Sequence, residues 1–303
     1  MLSGILNLDK PRGMTSHDVV AAVRRILGIR AVGHTGTLDP EASGVLVLCL
    51  GEATQFARLF ETLEKTYWTV LQLGVCTDTQ DATGTVTCQR EVPPFTHAQL
   101  RDVLERFQGP LQQIPPMYSA VKYRGQRLYR LARQGKTVTR QARDIFVRRL
   151  DLLDQRETQI TLSVTCSKGT YIRTLGEDIG LALGCGAHVL HLQRCCVGHF
   201  SLQGACSLHV LQQQMRAGTL SHVLMPVTEA LSFLPSFMLT VQQYDALRLG
   251  QGRALSTILD TLQPLPQHAS GYRLCIPPQR TVAVIQRQLS PPDRWKWKLY
   301  VSP

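Results

Sequence analysis

Apolar and polar positions along the chain sort it into elements before any residue has a role. Ile5 to Leu8 reads as a short strand entering a Lys10-Pro11-Arg12-Gly13 turn, because Pro and Gly punctuate regular structure. Val19, Val20, Val23, Ile26 and Leu27 then recur at helical spacing, with Thr15 or Ser16 as the cap and Gly28 as the stop. Gly33 to Gly44 is a loop, Val45 to Leu50 an apolar strand, and Ala53 to Leu63 a helix. Tyr67 to Leu73 alternates as a strand, with Tyr67, Thr69, Leu71 and Leu73 on one face. Thr77 to Gly84 is a polar turn from which Thr85 to Cys88 pairs back.

Thr96 followed by Gln99 has the capping-box pattern of a helix running to about Phe107. Gly109-Pro110 and Pro115-Pro116 break the chain. Asp144 to Leu153 and Gln159 to Cys166 look like paired strands, Thr170 caps a helix to about Leu183, and Val189 to Phe200 returns as strand. Regular βαβ alternation is missing, which predicts an α+β fold with a mixed, largely antiparallel sheet flanked by helices. Past Pro235 the texture changes to short strands punctuated by Gly and Pro. The expected division is therefore a main domain over 1–235 and a small β-rich domain over 236–303, near the lower size for independent folding.

The 303 residues suffice for two domains, and 44% apolar residues are enough for a buried core. No apolar run approaches the ~18 residues of a membrane span, and Met1-Leu2-Ser3-Gly4-Ile5 does not open like a signal peptide. A soluble cytoplasmic protein is expected. Nine cysteines without a Cys-x-x-Cys pattern, two of them adjacent at 195 and 196, suit neither a disulfide framework nor tetrahedral zinc. They read as reduced thiols packed like small apolar groups.

Charge changes the picture most. The net of +11 is uneven: residues 1–100 carry eight basic and ten acidic residues, whereas Lys122 to Arg149 holds ten basic residues and one acid, Asp144. Tyr123 and Tyr129 interleave with Lys122, Arg124, Arg127, Arg130 and Arg133. Cations among aromatics suit RNA or single strands, where bases can stack, against the plainer reading of a solvated face. Residues 201–303 add nine basic and four acidic residues.

Candidate chemistry concentrates in Gly33-His34-Thr35-Gly36-Thr37-Leu38-Asp39-Pro40, which continues to Ser43-Gly44. Its glycines and proline fix an unusual path that presents one His and one Asp; an ordinary turn with Asp39 as a cap is the alternative. The spacing is not that of a phosphate-binding loop. With Asn7-Leu8-Asp9-Lys10-Pro11-x-Gly13-x-Thr15-Ser16 before it, this loop closely resembles the TruB family of tRNA pseudouridine synthases. Lys65-Thr66-Tyr67, Gly74, Thr77-Asp78-Thr79, Asp81-Ala82-Thr83-Gly84, Pro115-Pro116-Met117-Tyr118-Ser119-Ala120-Val121-Lys122 and Gly169-Thr170-Tyr171-Ile172-Arg173-Thr174-Leu175 follow in the family's order. The first motif looks like the stand-alone bacterial type. Thr37 departs from the family, where many members have alanine.

The resemblance implies an isomerase that turns uridine 55 of the tRNA T-loop into pseudouridine, with the tRNA T-arm as partner, no cofactor and no metal. On that basis Asp39 is the catalytic aspartate, Arg173 the arginine paired with it, and Tyr67 the tyrosine beside the base. His34 contacts the flipped nucleotide and fills the space it leaves, and Leu192 lines the uracil pocket, although it could equally be an ordinary core leucine. Lys10 supports the catalytic loop or meets a phosphate, and Tyr171 joins the substrate-binding set. The basic run 122–149 coincides with an insertion that clamps the T-arm. The chain's end, through Ala246-Leu247-Arg248-x-Gly250-Gln251, resembles a PUA-type RNA-binding module. A monomer is expected. A non-catalytic RNA-folding protein and a guide-dependent synthase are the competing readings.

Overall fold

The computed structural model describes residues 2–249, 258, 271–277, 280–288 and 294–299. Gly250 and Gln251 of the PUA-like motif lie outside the described residues. Two compact units emerge: one built on 6–223, the other on the described residues from Leu224 onward with Ser3–Ile5. The division thus falls at Leu224, not after Pro235.

The larger unit centres on one sheet. Its strands run in the order Gly4–Lys10, Ser43–Leu50, Ala187–Val197, Lys65–Leu73, Gln159–Cys166, Arg143–Gln155 and Gly109–Gln113. Each pair from Ala187–Val197 outward to Gly109–Gln113 is antiparallel, whereas Gln193–Arg194 pairs with Ser43–Gly44 in parallel. The fold is α+β with a largely antiparallel sheet, and helices Ser16–Leu27, His97–Glu105 and Ile172–Ala182 flank it.

The alternation read at Tyr67 to Leu73 matches the burial: Tyr67, Thr69, Leu71 and Leu73 face the core with Leu162, Val164, Leu175 and Val189. Thr15 caps its helix with a reciprocal capping box through Asp18, and Thr96 does the same with Gln99. The Ile172–Ala182 helix lies hard against the sheet because two glycines one turn apart face it. A Cβ on Gly176 would meet Leu71 at 2.7 Å, and one on Gly180 would meet the Ala187 amide at 2.3 Å. That close approach sets the depth at which Arg173, on the first turn, enters the molecule.

Four sequence expectations need correction. Thr170 does not cap the helix: its hydroxyl donates to the Ser167 carbonyl (3.0 Å), and Tyr171 occupies the cap position without a side-chain bond. Gly109-Pro110 does not break regular structure but opens a strand, Gly109–Gln113, paired with Arg143–Val147 at the sheet's edge. There the missing proline N–H disrupts no ladder. Gly51–Phe56 is a 3-10 helix leading into the short α-helix Ala57–Glu61, not one continuous helix. The strand expected to reach Phe200 ends at Val197, and Phe200–Ser201 pairs back on it. A helix missed by pattern, Leu208–Ala217, is capped by the Ser207 side chain.

The second unit holds the four-stranded sheet Ser236–Met238, Gly271–Ile276, Arg280–Gln288 and Arg294–Leu299, with helix Val241–Arg248. Leu239, Leu247, Ile258, Leu274, Ala283 and Ile285 form its core. It is β-rich, as the punctuation predicted.

Candidate active site

The loop from Thr35 to Ala42 hangs between strands Val32–His34 and Ser43–Leu50, and the N-terminal motif forms its underside. Ser16 bonds Leu38 in both directions, its hydroxyl accepting from the Leu38 amide (2.8 Å) and donating to the Leu38 carbonyl (3.2 Å). The Gly13 amide and the Lys10 ammonium both donate to the Pro40 carbonyl, at 2.9 and 3.1 Å. Lys10 also donates to the carbonyls of Pro11 and Met14, so its three N–H groups are spent within the protein. The residue is fully buried, and burial drags its pKa down to about 8 against the opposing pull of Asp39 and Glu41. Lys10 is therefore a brace under the loop; the phosphate contact has no donor left to make it. Leu38 and Ala42 anchor the loop in the core on either side of Asp39.

Asp39 meets Arg173 in a two-pronged ion pair: Nε donates to Oδ2 (2.8 Å) and Nη2 to Oδ1 (3.1 Å). Nη1 donates to the Thr79 carbonyl (2.8 Å) and Nη2 also to the Tyr118 carbonyl (2.9 Å), so every guanidinium nitrogen has an acceptor. Asp81 stands a further step off, 3.8 Å from Nε. Charge-assisted, two-point pairing fixes the plane of the carboxylate. The Arg173 side chain is 5% exposed and that of Asp39 is 38% exposed, so the cation is sealed in while the anion opens to the outside. It opens into a cavity of about 180 Å³ lined by Asp39, Ala42, Asp81, Arg173, Val189 and Leu192, with Arg12 and Glu41 among its other lining residues. That is below the ~300–1,000 Å³ usual for drug-sized ligands and suits a single ring. A larger cavity of about 310 Å³ beside the His97–Glu105 helix contains none of these residues.

The polar turn Thr77–Gly84 supplies Thr79 and Asp81, and it is locked on the Arg173 helix. Gln80, in a left-handed backbone conformation (φ 63°), accepts from the Thr174 hydroxyl (2.9 Å) and donates to Glu177. The Ala82 amide donates to the Val189 carbonyl (3.0 Å).

Of the other expected residues, Leu192 lines the cavity, and Tyr67 lies in the core beside the loop. Burial raises the Tyr67 phenol's pKa, partly offset by the Arg194 guanidinium. His34 is half-buried, its Nδ1 accepting from the Gly36 amide (3.4 Å); burial and then the charge of Arg194 lower its pKa, which favours the neutral ring. Tyr171 sits against Gln113, which both accepts from its amide and donates to its carbonyl, and it is not among the cavity's lining residues.

Lys122, Arg124, Arg127, Arg130 and Arg133 are all exposed. They ride on a small hairpin, Lys122–Tyr123 with Gln126–Arg127, and the helix Leu128–Ala132, pinned by buried Leu128 and Leu131. Arg124 covers the Tyr123 ring (5.4 Å) and Arg133 the Tyr129 ring (5.7 Å), so one face of each ring already carries a cation. From Arg143 on, the basic run belongs to the sheet.

Comparison with known proteins shows the family. Residues 24–172 match the N-terminal domain model of TruB family pseudouridylate synthases, and residues 173–232 match the C-terminal domain model of tRNA pseudouridylate synthase B. The tRNA pseudouridine synthase B of Pseudomonas paraeruginosa (strain DSM 24068 / PA7) is 47% identical over 242 residues, 79% of this chain and 79% of that protein. This chain belongs to the TruB family of pseudouridylate synthases. The tRNA pseudouridine synthase B of Pseudomonas putida (strain GB-1) is also 47% identical, over 84% of this chain and 83% of that protein. Among solved structures, a Cbf5-Nop10-Gar1 complex contains a chain with 25% identity and a TM-score of 0.72, covering 99% of this chain and 83% of that one. The TruB-family chain is thus an isomerase.

Sequence reasoning did not assign roles to Thr79, Tyr118, Asp81 or Arg194. Thr79 and Tyr118 act through backbone carbonyls, which side-chain identity does not advertise. Arg194 did leave a signal: it is the one Lys or Arg in the strand Val189 to Val197, where most positions are apolar.

Proposed function

We propose that this TruB-family chain converts uridine 55 of the tRNA T-loop to pseudouridine without a guide RNA. The observation that carries the reading is the half-open Asp39 carboxylate, clamped by a sealed guanidinium on the wall of a ring-sized cavity. The 47% identity to proteins named tRNA pseudouridine synthase B supports tRNA as the substrate.

The reaction breaks the N1–C1′ bond, turns the uracil and joins C5 to C1′; C5 loses a proton and N1 gains one, so atoms balance without a co-reactant. The target nucleotide first leaves the stack, at a cost of a few kcal/mol. His34, favoured as a neutral ring, occupies the vacated place at low desolvation cost. Asp39 supplies the anion that each route requires, whether attack at C1′, attack at C6 or removal of a sugar proton. Leu192 excludes water from one face of the base, and Tyr67 offers its ring and hydroxyl. The exposed arginines on 122–133 hold the T-arm, and the β-rich unit adds a second RNA-binding surface. Five buried cysteines, Cys49, Cys76, Cys166, Cys185 and Cys275, suit the reducing cytoplasm, where we place the protein as a monomer that can also aid tRNA folding.

The test is an unmodified tRNA transcript incubated with purified protein alone, followed by mapping of pseudouridine. Modification at position 55 is expected. Modification elsewhere, or only when a guide RNA is added, would overturn the reading. Asp39→Asn keeps shape and removes charge, so it should retain melting temperature and tRNA affinity while losing turnover. A collapse of either property would make Asp39 structural.

A further inference from the structure

Arg194 is 2% exposed, and among the described residues no carboxylate lies within ion-pair distance of it. Its acceptors are carbonyls. Nε donates to Val45 (2.7 Å), Nη2 to Gly36 (3.0 Å) and, more loosely, Nη1 to Thr37 (3.4 Å). Gly36 and Thr37 precede Asp39 in the loop and Val45 follows it, so one guanidinium ties both ends. Across the antiparallel pair Arg194 is the partner of Tyr67, and its charge partly offsets the burial that raises the Tyr67 phenol's pKa. On the other side its backbone pairs in parallel with Gly44. Burying a cation without a carboxylate is expensive, and an apolar side chain would fill the same space without that penalty.

We propose that Arg194 is a positioning residue of the isomerisation: its fork holds the two ends of the Asp39 loop in one rigid frame, while its backbone pairs with Tyr67 on the neighbouring strand. This rests on Asp39 and Tyr67 acting on one extruded base, as proposed above. A planar guanidinium can satisfy acceptors lying in several directions at once, whereas a lysine ammonium, a point charge, keeps the charge but not the spread. Misplacement of reacting groups by about 1 Å can cost about 100-fold in rate. The same charge acts at a distance on His34, whose proton affinity it lowers.

The experiment compares Arg194→Lys and Arg194→Met with the parent protein. Melting temperature and tRNA affinity are measured first, and then kcat and KM. Both variants should fold and bind tRNA within about threefold of the parent, with kcat down by about 100-fold, the pattern of lost positioning rather than lost binding. The His34 imidazole titration, followed by NMR without RNA, should move to higher pH in Arg194→Met and stay in place in Arg194→Lys. Amide exchange across residues 35–42 should quicken in both. Combined with Tyr67→Phe, Arg194→Lys should cost less than the product of the two single losses. Native kcat in the lysine variant, a loss explained by affinity, an additive cycle, or failure of the lysine variant to fold would each overturn the proposal. If the parent makes no pseudouridine, the proposed function fails, yet the RNA-free titration and exchange still decide whether Arg194 frames the loop.

Discussion

At residue scale the site is an acid whose direction is set by a buried arginine and by the bonds beneath its loop. Asp39 was legible, because an aspartate in a Gly- and Pro-bounded loop within an ordered set of motifs resembles one family closely. Arg173 followed from the same resemblance, and the two-pronged bond to Asp39 gives that pairing its geometry. Lys10 was only half legible: its position in the motif said that it mattered, but not that carbonyls consume all three of its protons. Gly44 illustrates what a motif conceals. Its φ of +103° and the Arg194 carbonyl, 2.3 Å from where a Cβ would sit, leave no room for a side chain. Gly44→Ala should therefore destabilise the protein by at least ~2 kcal/mol, from the left-handed strain and the clash together. Thermal melting checks this as a drop of roughly 4–8 °C. A native melting temperature would mean that the parallel pair yields easily.

At the scale of elements, periodicity found the strands that face the core and missed what lies at the sheet's margin. Tyr67 to Leu73 was readable because its alternate positions, Tyr67, Thr69, Leu71 and Leu73, are all buried. Gly109–Gln113 was not, because an edge strand tolerates the very residues that signal a break. The basic segment was readable as charge, but the buried anchors Leu128 and Leu131 that shape it were hidden among the arginines. Its contribution can be isolated. Replacing Arg124, Arg127, Arg130 and Arg133 by alanine should weaken tRNA binding and flatten the plot of log K against log salt by ~0.7–0.9 for each phosphate no longer neutralised. Binding titrations across a salt series provide the measurement, and an unaltered slope would assign the segment another task.

At the scale of the whole molecule, buried titratable groups should shape stability in alkali. Burial lowers Lys10 and Lys65 to about 8, so the folded protein sheds these protons before the unfolded chain does, and stability should climb as pH rises above 8. The thiols act in the opposite sense. Burial raises Cys49 to about 12 and Cys166 and Cys206 to about 11, so above pH 9 the unfolded chain loses protons that the fold retains, and stability should fall. Three thiols outweigh two lysines, which places the maximum near pH 9. Melting curves between pH 7.5 and 10.5 test this, and a steady decline from pH 8 would mean the lysines are solvated. That the chain has two parts, and its charge asymmetry, were both visible in composition. The texture change at Pro235 marked the border late, because Leu224 to Leu234, mostly apolar with only Pro226 to punctuate it, reads like the chain before it.

The partners of Asp39 are far from it in the chain: Arg173 comes 134 positions later. During synthesis Asp39 emerges long before its counter-ion, so a nascent chain still short of Arg173 holds the carboxylate without the guanidinium that fixes its plane. On the proposed function, copies that end before the Ile172–Ala182 helix should be inactive.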